Sequence, residues 1–403
     1  MKQALEGIRV IDCGIYHAGP GGPAILGDLG ADVIKIEQPV VGDPIRGQDR
    51  IGSISMDLKG NRNLFYEGAN RNKKSITINL KTNEGQQILH RLVERSDVFL
   101  TNMRRNAVES MHIDYPTLRE INHSLIYASV SAFGPKGPDS DRGGFDYQGQ
   151  ARSGFMYSMG ETNTPPMVCQ FGILDQATAI MASHQIITAL YMRERFGIAQ
   201  EVHVSILGTS TFLLYFNILM AQMGGFDPPR HDRSKENALR NYYRCGDGGW
   251  LMMTLTPENR HWKPLCIALG RPEFEKDLRF SDSSKRLSNA SLLVSLFDEI
   301  FATRPMNDWL EIFAKHDLFC CAVNRISDLE NDPQIIENRY LTDFDHPALG
   351  KIRIPGFPIH FGSSSAGTKS AAPELGEHTD EILTSICEFS PKQIAWFKEN
   401  KIV

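Results

Sequence analysis

The chain has 403 residues, of which 41% are hydrophobic and 23% are charged, with a formal net charge of −5. This length exceeds a usual single core and predicts two globular domains. The negative net charge gives no overall attraction to nucleic acid or to an anionic membrane, so we expect neither as a partner. An anionic ligand has to be met by local basic groups.

The cysteines exclude two further classes of small structural site. All seven are scattered without a C-x-x-C pair, which argues against both a zinc site and a disulfide framework, and we expect no metal. The N-terminus lacks a basic segment followed by an apolar one, and no apolar run approaches the roughly 20 residues that span a bilayer. These features predict a cytoplasmic protein.

Short β-rich runs alternate with helical patterns in the first third of the chain. This rhythm predicts a parallel α/β sheet. The strands are expected at residues 8–12, 32–37, 75–80, 97–102 and 125–131, with the clearest intervening helix at 84–94. A long helix follows over 176–195, then a strand at 201–207 and more helix from Gly208.

A polar stretch rich in Gly, Pro, Arg and Asp over 224–236 predicts a linker. The expected domains are therefore a large α/β domain over 1–223, a small domain with linkers over 224–330, and a C-terminal segment over 331–403 that returns to the large domain. In the small domain we predict a hairpin at 242–255 and helices at 262–269, 292–301 and 306–316. A strand-rich tail at 351–361 and a final helix at 376–387 follow.

Asp175 is the only charged residue between Thr162 and Arg193, and it opens a long apolar helical run. One interpretation makes it the N-cap of that helix, because Asp accepts backbone N–H groups well. The other makes it a nucleophile, held ionised by the positive helix end and poorly hydrated among apolar neighbours. The two interpretations are compatible.

A glycine-rich segment after the first strand suggests another class of enzyme. Residues 19–24, Gly-Pro-Gly-Gly-Pro-Ala, satisfy the G-x-G-x-x-A pattern of dinucleotide-binding proteins, and the next strand ends in the acidic Glu37. However, Pro20 and Pro23 lack the N–H donors that cradle a pyrophosphate, and the connection from Cys13 to Ala18 is long for the tight first turn. A nucleotide-dependent oxidoreductase is therefore a minor alternative.

Many segments in order resemble the class III coenzyme A transferases, the group that contains formyl-CoA, carnitine-CoA and aromatic acyl-CoA transferases and the methylacyl-CoA racemases. The resemblance covers nearly the whole chain. The segments are residues 5–12, 18–20, 29–37, 70–75, 102–104, 145–146 with 150–154, 175, 247–250, 332–334, 346–350 and 375–379.

The resemblance implies an architecture. The expected fold is a large, Rossmann-like parallel-sheet domain built from both chain ends, with a smaller inserted α+β domain. Two chains are expected to interlock as a homodimer, and some relatives work with a related second subunit.

The resemblance also implies a reaction. Asp175 falls on the catalytic aspartate, which forms a mixed anhydride with the acyl group of an acyl-CoA donor and then an aspartyl-CoA thioester, before a carboxylic acid acceptor takes the CoA. Coenzyme A and acyl-CoA are substrates, and no tightly bound cofactor is expected. The residues expected to bind CoA or substrate are His17, Ala18, Arg71, Asn72, Lys73, Asn102, Arg104, Phe145 and Asp146, with Lys74 and Arg105 as further phosphate candidates.

A glycine lid against water is expected at Gly246, Gly248 and Gly249, because glycine changes conformation at little steric cost. A plain hairpin turn is the alternative, since Asp-Gly is a strong turn signal. The apolar side chains of Phe145, Met156, Tyr157 and Met167 suggest an apolar acid, although such residues are also common in cores.

The chain departs from the family pattern at three places. His17 stands where several transferases carry glutamine, and Gly143-Gly144 where some carry lysine. Phe145 occupies the place of the racemase histidine, and phenylalanine cannot shuttle a proton. The leading interpretation is a CoA transferase; a non-catalytic or partner-dependent subunit, a racemase and the oxidoreductase are the alternatives.

Overall fold

The structure, a computed structural model, describes residues Lys2–Val403. It divides into two compact units. The first unit comprises Met1–Met156, Val168–Asp227 and Arg339–Val403, and the second comprises Tyr157–Met167 and Pro228–Asn338. The expected boundaries lie after residues 223 and 330, close to those observed, and the assignment of residues 157–167 to the second unit was not predicted.

Ten strands and ten α-helices precede Asp227 in the described chain; all lie in the first unit except the second half of α7. The strands are β1 (Arg9–Cys13), β2 (Asp32–Glu37), β3 (Arg50–Ile51), β4 (Ile54–Ser55), β5 (Asp57–Leu58), β6 (Arg62–Asn63), β7 (Lys73–Thr77), β8 (Val98–Thr101), β9 (Ile126–Ser131) and β10 (Glu201–Ser205). The helices are α1 (Gly21–Asp28), α2 (Leu64–Asn70), α3 (Asn83–Glu94), α4 (Arg105–Ser110), α5 (Tyr115–Ile121), α6 (Asp146–Ser153), α7 (Phe155–Ser158), α8 (Ile173–Phe196), α9 (Ile206–Leu213) and α10 (Tyr215–Gly224).

Six of these strands form one parallel sheet in the order β10-β9-β8-β1-β2-β7. The predicted parallel α/β sheet is confirmed. Successive side chains of a strand point to opposite faces, so Val10 and Ile11 of β1 enter different cores. Val10 packs with Ala182 and Ile186 of α8, and Ile11 packs with Leu92 of α3.

The second unit contains a three-stranded antiparallel sheet and five α-helices. These elements are β11 (Arg240–Arg244), β12 (Trp250–Thr254), α11 (Glu258–Ala268), α12 (Ser283–Ser288), α13 (Ala290–Phe301), α14 (Met306–Lys315), β13 (Cys320–Ala322) and α15 (Pro333–Glu337). Its own core centres on aromatic side chains, among them Tyr243, Phe301 and Trp309.

The last segment returns to the first unit. Its elements are β14 (Leu341–His346), β15 (Gly350–Pro355), α16 (Thr379–Ser385) and α17 (Pro391–Glu399). Side chains of α16 and α17, such as Leu383 and Phe397, are buried in the same core as Ile11. The prediction of extended structure as far as residue 361 was wrong, since β15 ends at Pro355, and α17 was not predicted.

No single helix among residues 2–403 is long and apolar enough to cross a membrane, although the bent pair α9 and α10 meets the length and composition test together.

Candidate active site

The sheet order reverses at β1, which has β2 on one side and β8 on the other. In open α/β sheets this reversal leaves a crevice beyond the carboxyl ends of the strands, where ligands bind. The chain leaves β1 into a loop at residues 14–20, and Asn102 directly follows β8. The loop contains His17 and Ala18, so the fold places three of the predicted site residues at this crevice.

Side chains from several elements hold the backbone of this loop. Asp12 accepts from the Gly14 N–H at 2.9 Å, and the Lys35 ammonium donates to the Gly14 carbonyl at 2.9 Å. Asn102 accepts from the Ile15 N–H and donates to the Ile15 carbonyl, both at 2.8 Å. The side-chain amide of Asn102 therefore binds the loop backbone, whereas the sequence predicts that it binds CoA.

The next residue of the loop is also held. The Tyr16 N–H donates to an oxygen of Asp43 at 3.1 Å, and Tyr16 has a φ of 63°, a left-handed conformation that is uncommon outside glycine. Such a conformation persists where the surroundings impose it. The loop is therefore fixed before any substrate binds.

Buried charges support the loop from below. The Lys73 ammonium lies 2.6 Å from Asp12, and that of Lys35 lies 2.9 Å from Asp43, with all four side chains fully buried. Burial lowers the pKa of Lys73 to about 8. Burial alone would also lower the pKa of Lys35, but Asp43 and Asp12 raise it overall.

Lys73 therefore belongs to the scaffold. Its ammonium donates to Asp12, to the Pro20 carbonyl and to Asn70, which uses its three protons. The expectation that Lys73 contacts a CoA phosphate is contradicted by this burial. Asn70, at the end of α2, was not predicted.

Arg71 and Asn72 are engaged in the same way. The Arg71 guanidinium pairs with Asp28 and donates to the Gly68 carbonyl at 2.6 Å. The Asn72 amide donates to Asp28 at 2.8 Å and to the Gly367 carbonyl at 3.2 Å, and its oxygen accepts from the Lys369 and Ser370 N–H groups. Asn72 thus ties the C-terminal segment to α1, and its amide is fully used. Arg71 is held between α1 and α2 and already faces a carboxylate.

Lys74, the further phosphate candidate in this segment, is paired as well. Its ammonium lies 2.8 Å from Glu381 of α16.

Asp175 lies in the first turn of α8, at its third residue. The interpretation of Asp175 as the N-cap was wrong, because the N-cap position is Gly172, which has a left-handed φ of 67°. A carboxylate from α6 satisfies the helix end instead: Asp146 accepts from the Leu174 N–H at 2.6 Å and from the Asp175 N–H at 3.0 Å. The Asp175 side chain remains available.

The helix-capping carboxylate of Asp146 is itself buried, with 5% exposure. Gln150, one turn later in α6, donates to it and also donates to the Cys169 carbonyl at 2.7 Å. The Gln150 oxygen accepts from the Cys169 N–H at 2.9 Å, so this side chain holds the segment that leads into α8 in place. Asp146, expected to touch substrate, and Gln150 thus position Asp175.

The surroundings of Asp175 favour a reactive carboxyl group. Burial raises its pKa to about 7, and the neighbouring Asp146 adds to this effect. Among residues 2–403, no Lys, Arg or His lies within ion-pair distance of it. The positive end of α8 opposes the shift and favours the ionised form. The group is a desolvated carboxylate without a counter-ion.

A cleft of about 1420 Å³ opens at the site, lined only by first-unit residues. Tyr16, Ala18, Arg104, Phe145 and Asp175 are among the residues that line it.

Of the predicted phosphate contacts, Arg104 and Arg105 line the cleft. Arg105 pairs with Asp141 at 3.2 Å. Arg104 is exposed, and its guanidinium lies where a side chain at Gly143 would stand, since a Cβ there would touch it. The absence of a side chain at Gly143 therefore makes room for Arg104.

His17 is half-buried beside the start of α8. Its Nε2 lies 2.9 Å from the side-chain oxygen of Gln176, the residue after Asp175. Burial lowers the pKa of His17, so the neutral imidazole is favoured, and in that form Nε2–H donates to Gln176. Gln176 was not predicted; its place beside Asp175 was the only signal.

Aromatic rings flank the carboxylate. Tyr16 and Phe145 meet edge to face at 5.5 Å, and His17 and Phe65 do so at 6.1 Å. A Cβ at Gly172 would lie 3.6 Å from the Asp175 carboxylate and 3.8 Å from the Phe65 ring. Phe65, in α2, was not predicted to belong to the site.

The glycine segment lies in the second unit and connects β11 to β12 as a hairpin turn. Gly248 has a φ of 85°, Gly246 donates to the Arg304 carbonyl at 2.8 Å, and Asp247 accepts from the N–H groups of Gly249 and Met306 at 3.0 and 3.1 Å. These bonds anchor both sides of the turn. The segment thus forms the hairpin turn of the alternative prediction, and the lid stays a prediction.

The glycines of residues 19–24 serve packing. A Cβ at Gly21 would lie 2.7 Å from the side chain of Ala179, and one at Gly22 would lie 2.9 Å from that of Ala182. Glycine thus lets α1 approach α8 closely. This role explains the glycines without a dinucleotide.

Comparison with known proteins agrees with this geometry. The model of the family described as CoA-transferase family III matches residues 5–379. The chain is 30% identical over 400 residues to an (R)-2-hydroxy-4-methylpentanoate CoA-transferase of Clostridioides difficile, covering 99% of both chains. It is 31% identical over 420 residues to a formyl-CoA:oxalate CoA-transferase of Streptomyces avermitilis, covering 100% of both.

A solved structure is also similar. The crystal structure of a CAIB/BAIF family protein from Brucella suis superposes with a TM-score of 0.85 at 28% identity, covering 96% of this chain and 100% of that one.

Proposed function

The chain belongs to CoA-transferase family III, and we propose that it moves CoA from an acyl-CoA donor to a carboxylic acid acceptor with Asp175 as the nucleophile. The observation that carries this proposal is the state of Asp175: a carboxylate without a cation partner, desolvated in the first turn of α8 and facing the cleft at the sheet reversal. Relatives named as CoA-transferases support a transferase.

In the first half-reaction, an oxygen of Asp175 attacks the carbonyl carbon of the donor thioester. The C–S bond breaks, CoA leaves as the thiolate, and a mixed anhydride joins Asp175 to the donor acyl group. The thiolate then attacks the aspartyl carbonyl carbon. The donor acid leaves as its carboxylate, and Asp175 becomes an aspartyl-CoA thioester.

In the second half-reaction, a carboxylate oxygen of the acceptor attacks the aspartyl thioester and again displaces the CoA thiolate. The new mixed anhydride joins Asp175 to the acceptor acyl group. The thiolate attacks the acceptor carbonyl carbon, which releases the acceptor acyl-CoA and restores the Asp175 carboxylate. No proton or electron is gained or lost over the cycle.

A carboxylate suits this cycle because the acyl group has to leave again. A mixed anhydride stays as reactive as a thioester, whereas a serine ester would be too stable. Burial strips water from Asp175 and strengthens it as a nucleophile, and dry surroundings protect the anhydride from hydrolysis.

The loop after β1 supplies the contacts that we propose near the thioester. Ala18 and Asp175 line the same cleft, and His17 is held by Gln176. Since Asp12, Lys35 and Asn102 fix the loop backbone, these contacts need no rearrangement when the substrate binds. Arg104 is the phosphate contact that we retain, because it is exposed in the cleft.

We also propose a homodimer. Helices α8, α9 and α10 carry many exposed large apolar side chains in the first unit, including Ile180, Tyr191, Phe212, Phe216 and Met223. A surface this apolar is rare on a monomer and marks an interface. A second copy of the chain is the occupant that the resemblance implies, and light scattering of the purified protein would give twice the chain mass.

A single-turnover experiment with an acceptor labelled with ¹⁸O in both carboxylate oxygens tests the covalent route. The proposal predicts that the first donor acid released carries an unlabelled oxygen from Asp175, and that Asp175 gains one ¹⁸O. Mass spectrometry of the acid and of the active-site peptide measures both. Label in the donor acid within the first turnover would show direct attack of the acceptor on the donor thioester and overturn the proposal.

A further inference from the structure

We propose, resting on the transferase function above, that the acyl groups handled at Asp175 belong to uncharged aromatic or branched monocarboxylic acids and not to dicarboxylic acids. The inference depends on what the first unit places around the nucleophile. It concerns the same site and names its substrate class.

The wall of the cleft beside Asp175 is aromatic. Phe145 is 60% exposed and meets Tyr16 edge to face at 5.5 Å, and both rings line the cleft together with Asp175. Phe65 and the neutral imidazole of His17 form a second aromatic pair close to the start of α8. Open aromatic faces of this kind gain by burying an apolar group.

The charges around the nucleophile disfavour a second carboxylate. Lys73 is buried and paired with Asp12 at 2.6 Å, and Arg71 is paired with Asp28, so both cations already face a carboxylate. Asp146 adds a negative charge next to Asp175. A distal carboxylate would lose water among aromatic rings, next to anions and without a counter-ion.

Three of the four arginines that line the cleft pair with aspartates. Arg105 pairs with Asp141 at 3.2 Å, and Arg142 and Arg152 both pair with Asp139. Arg104 is exposed beside Gly143 and is the residue that we assign to the CoA phosphates. A dicarboxylate would have to compete with these aspartates, or with the CoA phosphates, for a guanidinium.

Isotope exchange between free labelled CoA and an acyl-CoA tests the substrate class, because exchange needs only the acylation of Asp175 and no acceptor. The compared thioesters are 4-methylpentanoyl-CoA and glutaryl-CoA, whose main chains both have five carbons; the first ends with an isopropyl group and the second with a carboxylate. We expect kcat/KM to be at least tenfold higher for 4-methylpentanoyl-CoA, and 3-phenylpropanoyl-CoA to exchange with a similar preference. Equal or faster exchange with glutaryl-CoA would overturn the inference and leave the transferase function standing, whereas no exchange with any thioester would remove the function itself.

A charge swap tests whether the aromatic wall causes the preference. Phe145→Lys places a cation in the cleft. We expect it to lower the ratio of kcat/KM for 4-methylpentanoyl-CoA to kcat/KM for glutaryl-CoA at least tenfold, mainly by raising kcat/KM for glutaryl-CoA. Leu278→Lys is the matched control, since Leu278 is 79% exposed in the second unit. A ratio that stays the same in Phe145→Lys would show that this wall does not select the acid.

Discussion

Asp12 and Asp175 are two aspartates of the same unit. Asp12 is fully buried and Asp175 is half-buried at the cleft, and they differ in the partners of their carboxylates. Asp12 has the Lys73 ammonium at 2.6 Å, the Lys35 ammonium at 3.9 Å and the Gly14 N–H at 2.9 Å. Asp175 has no cation partner among the described residues, and another acid, Asp146, caps its helix. The paired carboxylate builds the loop, and the unpaired one is left able to react.

The two aspartates show that a charge withdrawn from water can either stabilise the fold or take part in a reaction. A desolvated charge is costly unless it is paired and hydrogen-bonded. Where the partners are present, as at Asp12, the charge fixes neighbouring backbone. Where they are missing, as at Asp175, the fold retains an unfavourable group, which points to a function.

The largest effect is expected from Asp175→Asn, which keeps the shape of the side chain and removes the nucleophile. We predict that CoA transfer falls by more than about 10³-fold while the fold is retained. Transfer assays and circular dichroism measure the two. Asp343→Asn is the matched control, because that side chain is 88% exposed, and it should keep full activity. An Asp175→Asn variant with ordinary activity would remove Asp175 from the mechanism.

Asp12→Asn tests the paired carboxylate. It leaves the buried Lys73 and Lys35 short of a counter-ion, so we expect the free energy of unfolding to fall by about 3–5 kcal/mol. Urea unfolding measures it. The double variant Asp12→Leu with Lys73→Met removes both charges and should cost less than the single change. A single variant as stable as the parent would show that the buried pair does not support the loop.

The same Asp175→Asn variant should be more stable than the parent at high pH. The pKa of Asp175 is raised in the folded protein to about 7, so the folded state favours the protonated form. Below the unfolded pKa of about 4 the carboxyl is neutral in both states and costs nothing, and the cost grows as pH rises to about 7.

We therefore expect Asp175→Asn to raise the free energy of unfolding by about 1–3 kcal/mol at pH 8, with the difference fading towards pH 4. Urea unfolding at pH 8, 6 and 4.5 follows the trend. A variant that is less stable than the parent at pH 8 would mean that the ionised carboxylate is stabilised in the fold, contrary to the comparison with Asp12.

The smallest effect is expected at the glycine segment of the second unit. Gly248 has a φ of 85°, so Gly248→Ala strains the turn and should lower the free energy of unfolding by about 1 kcal/mol, with little change in kcat. Gly225→Ala, also at a positive φ, is the matched control for backbone strain. A large loss of kcat confined to Gly248→Ala would favour the lid that the sequence suggested.

The parallel sheet was predictable because its strands are short apolar runs separated by helical periodicity. Most strand positions fell within a few residues of those observed, as at Asp32–Glu37. That residues 157–167 belong to the second unit was not predictable, because their position depends on contacts distant in sequence. One example is the hydrogen bond of 2.6 Å between Tyr242 and Glu161.

At the site, Asp175 could be found from the sequence because a lone charge in an apolar run is locally visible. The roles of Lys73 and Asn102 could not, because a basic or amide side chain looks the same in the sequence whether it faces a phosphate or a buried backbone group. Their partners, Asp12 and Ile15, come from β1 and its loop and meet them only in the folded sheet. Asp146 as the cap of α8 is hidden for the same reason.

The proposed cycle requires Asp175 to carry first the acyl group and then CoA in covalent linkage. The most direct measurement is to incubate the protein with an acyl-CoA, quench with hydroxylamine, and map the modified residue by mass spectrometry. We expect a hydroxamate at Asp175 that requires the acyl-CoA and is missing from Asp175→Asn. Modification at another residue, or transfer to an acceptor with Asp175 unmodified throughout, would contradict it.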